Sequence, residues 1–104
     1  MKDLEGSFDL EMVGISERAK KECGYNATRF LQMVTESGGL ATARALLRGT
    51  DISDGFAALW ERGRLDLTVE AVVLRDPWKT LFTEHELDVA RKHLTDLGYS
   101  TANL

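Results

Sequence analysis

Nine glycines stand against one proline in this 104-residue chain, and most of them fall directly after a segment with helical spacing. Gly24, Gly38 with Gly39, Gly49, Gly63 and Gly98 read as helix stops, and the intervals between them leave room for helices of only a few turns. That punctuation predicts an all-α fold, a compact single-domain bundle or array of about six short helices.

The most completely written helix start is Leu81-Phe82-Thr83-Glu84-His85-Glu86-Leu87. Thr83 is the expected N-cap, Glu86 closes a capping box, and Phe82 before the cap can staple onto Leu87 after it. The helix it opens is predicted from Glu84 to about Leu97, burying Leu87, Ala90, Leu94 and Leu97, with Tyr99 folding back past Gly98. A first helix is predicted from about Ser7 to Cys23, and Gly14 within it leaves a shorter version from near Ser16 open. Asn26 is the expected cap of a second, which turns Ala27, Phe30, Leu31 and Val34 inward and stops at Gly38 and Gly39. A third, from about Leu40 to Leu47, buries Leu40, Ala43, Leu46 and Leu47. A short fourth opens at Ser53 or Asp54, with Phe56, Leu59 and Trp60 as its apolar face. Leu65 and Leu67 alternate as in a strand, whereas Thr68, flanked by Leu67 and Val72, reads as the cap and staple of a fifth helix reaching about Leu74. Val69, Val72 and Val73 favour strand by propensity, so both readings of residues 65–74 stand. Trp60 and Trp78 are the heaviest core anchors expected; full burial of a large side chain contributes about 1.5–3 kcal/mol.

A hydrophobic content of 43% suffices for one core in 104 residues but not for two. One domain is therefore expected over residues 1–104, with 1–6 and 100–104 as flexible ends. The balance of 17 acidic against 13 basic residues gives a net charge of -4, and a pI near 5.1 argues against holding nucleic acid on a broad basic face. Cys23 is the only cysteine and forms no internal disulfide, and no apolar run approaches the ~18 residues of a membrane span. Asp3, Glu5, Asp9 and Glu11 place negative charge where a secretory leader is positive. The expectation is a cytoplasmic protein, not membrane-bound, that starts at Met1.

Candidate chemistry is sparse. His85 and His93 are eight residues apart on one predicted helix, about 12 Å, which is too far for a shared metal ion. The acids around His85 are accounted for by the capping box and the helix dipole. Cys23 has Lys20 and Lys21 near it but sits at a helix C-terminus, whose dipole opposes a thiolate, so a buried or half-buried structural thiol is expected. The glycines are followed by no phosphate-loop pattern, and no serine lies in a nucleophile elbow. No cofactor, metal site or catalytic residue is assigned. A helix-turn-helix can be drawn from Ala41 to Arg64, but its connection is long and its reading helix opens with Asp54. Arg62, Arg64, Arg75 and Lys79 form either a basic patch or scattered solvated charge.

What remains is an aromatic and arginine set: Tyr25, Arg29, Trp60, Arg64 and Trp78. Residues of these types dominate interface hot spots and also fill cores, so both readings stand for them. The segments Tyr25-Asn26-Ala27-Thr28-Arg29-Phe30-Leu31-Gln32-Met33, Gly38-Gly39-Leu40, Gly55-Phe56 with Leu59-Trp60-Glu61, Arg64-Leu65-Asp66-Leu67-Thr68-Val69-Glu70 and Leu81-Phe82 to Ala90-Arg91 resemble the recurring pattern of a group of small helical bacterial proteins. The resemblance spans roughly Ala19 to Tyr99. It implies a bacterial or phage-related cytoplasmic protein and carries over no activity, cofactor or site residue. Arg64, Asp66 and Glu70 mix charge into an apolar stretch and are expected to form a semi-buried polar network.

The function expected from these observations is a non-enzymatic interaction module with a protein partner, contacted through Tyr25, Arg29, Trp60, Arg64 and Trp78. The alternative is a nucleic-acid-linked accessory or inhibitor in a restriction, phage-defence or counter-defence system. It would bind DNA or RNA around Arg62 to Lys79, or occupy a nucleic-acid groove by mimicry through the acids from Asp3 to Glu11. Self-association is a further expectation, because six small helices can leave apolar surface for a second copy.

Overall fold

The glycine punctuation resolves into six α-helices in the computed structural model, which describes residues 4–48 and 52–99: α1 (Leu4–Cys23), α2 (Thr28–Ser37), α3 (Gly39–Arg48), α4 (Asp54–Glu61), α5 (Val69–Val73) and α6 (Glu84–Asp96). Two 3-10 turns, Leu65–Leu67 and Trp78–Leu81, lie before and after α5, and no strand occurs among the described residues. The fold is all-α, and the strand reading of residues 65–74 is excluded. Leu65 and Leu67 are both buried in a turn closed by the Thr68 N–H donating to the Leu65 carbonyl.

Helix α5 is the centre of the molecule. A five-residue helix is far below the length that is stable alone in water, so it exists only because the others enclose it. Every one of its residues is buried, Ala71, Val72 and Val73 completely. Packing on all sides overrides the strand preference of its valines. The Thr68 side chain accepts from the Ala71 N–H and donates to the Leu65 carbonyl, which caps the N-terminal end of this enclosed helix. Around it, α6 and α3 pack directly on α5, α1 crosses α2 and α3, and α4 leans on the first 3-10 turn.

The core joins Phe8, Met12 and Ile15 of α1 to Val34, Ala43, Leu47, Phe56, Leu87, Ala90 and Leu94 of the other helices. Trp78 is half-buried against it, its ring 5.5 Å from that of Phe8, while Phe82 meets Phe8 edge-on at 5.7 Å. Trp60 is 47% exposed and anchors nothing, contrary to the expected apolar face of α4. Phe56 and Leu59 already fill the inward side of this two-turn helix, and Trp60 follows Leu59 by about 100°, which swings it outward.

The α6 start is built as read, with Thr83 and Glu86 exchanging cap bonds and Phe82 and Leu87 both in the core. Its end is closed by Gly98 at φ 83°, with Tyr99 N–H on the Leu94 carbonyl and Gly98 N–H on the Thr95 carbonyl. Gly63 closes α4 in the same way, φ 71°, with Arg64 N–H on the Leu59 carbonyl.

Four local expectations change. Helix α1 runs unbroken through Gly14 and begins at Leu4, so residues 4–6 are helical and not a loose end; residues 1–3 and 100–104 lie outside the described residues, as does Gly49. Asn26 is exposed and caps nothing: α2 starts after Ala27, whose burial draws the chain inward one residue further on. Gly39 does not end α2 but opens α3. A Cβ there would stand 2.7 Å from Asp9 Oδ1 and 3.2 Å from Asp9 Cα, so glycine is what lets α1 and α3 come this close. Asp9 Oδ1 in turn accepts from the Gly39 N–H at 2.6 Å, supplying from α1 the negative charge that suits a helix N-terminus.

Candidate binding groove

Where α1, α2, α4 and the start of α5 meet, the helices leave an open cavity of about 490 Å³. A volume of this size is in the range of ligand and anchor-residue pockets. Three aromatic rings, Tyr25, Phe30 and Phe56, face it together with Ile15, Leu46 and Val69. Arg29 stands exposed among the lining residues and has no carboxylate partner among the described residues.

Tyr25 is held in place by Arg62, for which the sequence left a basic patch and scattered solvated charge both open. The Arg62 guanidinium lies 5.4 Å from the Tyr25 ring centroid and donates to the Cys23 and Ala58 carbonyls. Cys23 is half-buried against Ala19, Leu59 and Leu67, the environment expected of a structural thiol.

Glu70, 2% exposed, also lines the cavity. Its Oε2 is 2.9 Å from His93 Nδ1, across 23 residues of sequence. That hydrogen bond raises the His93 pKa above its ordinary value, against the opposing effect of burial. A charged partner on one oxygen is what makes an acid tolerable at this depth. The other oxygen, Oε1, has no hydrogen-bond partner among the described residues. Arg44 Nε is the only fully enclosed side-chain polar atom there without one, so Oε1 keeps some access to solvent. The expected Arg64, Asp66 and Glu70 network is thereby corrected, because Glu70 turns inward to His93 and leaves the other two outside. The signal that could have found this pair is an acid inside the apolar run Val69-Glu70-Ala71-Val72-Val73-Leu74, which must find a partner once buried.

Arg64 instead joins α1 to the first 3-10 turn. It grips Asp66 through Nε and Nη2 at 3.0 Å each and reaches Glu22 at 2.7 Å. Its bond to Asp66, then that to Glu22, pushes its pKa further up; Asp66 is held low by Arg64, and Glu22 by Arg18 and then Arg64. Arg64, Asp66 and Glu22 are each held in their charged forms. The cluster ties elements together and moves no protons.

The five candidate partner residues therefore do not form one patch. Tyr25 and Arg29 line the cavity, Trp60 is exposed on α4 without lining it, Arg64 is committed to its carboxylates, and Trp78 packs on Phe8. The basic-patch reading fares no better. Arg62 and Arg64 are engaged as described, Arg75 donates to the Asp66 carbonyl, and Lys79 pairs with Asp76. His85 is exposed at the α6 start, and no group of three or more His, Cys, Asp or Glu side chains placed to hold a metal occurs among the described residues. No helix among them is long and apolar enough to cross a membrane. Compared with known proteins, the chain matches no family model, no curated protein and no solved structure.

Proposed function

We propose that this chain is a non-enzymatic protein-interaction module of a bacterial or phage-related cytoplasmic protein, and that it receives its partner in the groove between α1, α2 and α4. The observation that carries the reading is an apolar cavity lined by three aromatic rings, left open by the chain's own described side chains, with Tyr25 at hand and an Arg29 that has no carboxylate partner among the described residues. Aromatic and arginine side chains around a desolvated pocket are the arrangement from which interface hot spots are made. Nucleic-acid binding has weaker support, since Arg62, Arg64, Arg75 and Lys79 already have partners. Acidic mimicry loses Asp9 to the start of α3.

The test is affinity capture from a bacterial lysate with the wild-type chain and with Arg29→Glu and Tyr25→Ala, each first shown to be folded by circular dichroism. A protein retained by wild type through nuclease and high salt, and lost with both variants, is the expected result. Retention by all three chains, or loss of everything under nuclease and salt, overturns the reading; the second outcome moves a nucleic-acid-linked role forward, because such contacts weaken steeply with salt.

A further inference from the structure

We propose that the cavity is a binding site for a flat aromatic group bearing one N–H or O–H donor, that Glu70 Oε1 is the acceptor for this donor, and that the group is a tryptophan or tyrosine side chain of the partner. The inference rests on the proposed interaction role for the source of the group; the chemistry of the site stands on the geometry.

The walls select the shape. The half-buried Tyr25 and Phe30 line the cavity with the enclosed Phe56 behind them, and aromatic pairs gain from stacked or edge-to-face contact beyond simple burial. Three hydroxyls in the same walls are engaged within the chain. Ser16 donates to the Val13 carbonyl, the Ser53 oxygen accepts from the Phe56 N–H, and Thr68 is fully used by Leu65 and Ala71. Glu70 differs from all of these: it is almost wholly buried, lines the cavity, has one oxygen fixed by His93, and keeps the other without a partner among the described residues. An acceptor of that kind, once a guest has displaced solvent from it, favours a guest that brings a donor and disfavours one that does not.

Indole and benzofuran share one shape and differ in the donor, so they test the proposal on the full wild-type chain by NMR titration. Indole is expected to give saturable shifts at Tyr25, Phe56, Leu59 and Val69 and to bind about tenfold tighter than benzofuran, as a hydrogen bond to a charged acceptor contributes. N-acetyltryptophanamide is expected to shift the same residues. In Glu70→Gln the amide oxygen takes the His93 Nδ1–H and turns its NH2 to the cavity, so the preference for indole should vanish. Equal binding of indole and benzofuran to wild type, absence of shifts at these residues, or an indole preference that survives Glu70→Gln overturns the site. Binding of indole with exclusion of N-acetyltryptophanamide overturns the side-chain source. A partner captured through Tyr25 and Arg29 by a chain that ignores indole leaves the interaction module standing and removes only this inference. A chain that binds indole and N-acetyltryptophanamide but retains no partner leaves the chemistry of the site standing and overturns both the interaction module and the partner as the source of the group.

Discussion

His93 and Glu70 are the pair on which most depends. Because the folded His93 pKa is raised above its unfolded value of about 6.5, the stability this pair adds is fully present below that pH. It is lost as pH rises through the folded pKa. Urea denaturation at a series of pH values should show that decline, and His93→Asn, which keeps a donor near Nδ1 but does not titrate, should flatten it. His93→Ala should cost about 3–5 kcal/mol, since it leaves Glu70 buried and unpaired. Gly39 gives a second test. Adding a methyl group sets it against Asp9 backbone and side chain at once, so Gly39→Ala is expected to lower stability by about 1–3 kcal/mol in the same measurement.

Helices α1 and α6 show how far local signals reach. The capping box of α6 is entirely local, and Thr83→Ala should cost about 1 kcal/mol by thermal or urea unfolding. Gly14 sits inside α1 with nothing within 4 Å of where its Cβ would be. Gly14→Ala should therefore stabilise the protein by about 0.5–1 kcal/mol, and a loss instead would show that something packs on that face. By contrast, α5 has no local account: Thr68 announces its start, but five residues containing three valines are a helix only inside this core. Excising or lengthening that segment should disrupt the whole domain and not one element, visible as a single loss of cooperative unfolding.

Five helices packed around the buried α5 give this chain a single core, and the two tryptophans divide across it. Trp60→Ala should change stability by less than about 0.5 kcal/mol, whereas Phe8→Ala, beneath Trp78 and Phe82, should cost about 3–5 kcal/mol. The Thr83 and Thr68 caps, a cap at Ser53 or its neighbour Asp54, the stops at Gly24, Gly38, Gly63 and Gly98 and most inward-facing leucines follow from residues within a turn or two of each other. They were legible because helix starts and stops are set by neighbours along the chain. The cavity beside Tyr25 and Arg29, the Asp9 bond to Gly39, the His93 partner of Glu70 and the outward turn of Trp60 each depend on groups far apart in sequence or on which face another helix already fills. No spacing rule encodes such meetings, because they arise only when packing has chosen, among the compatible arrangements of the other five helices, the one that buries α5.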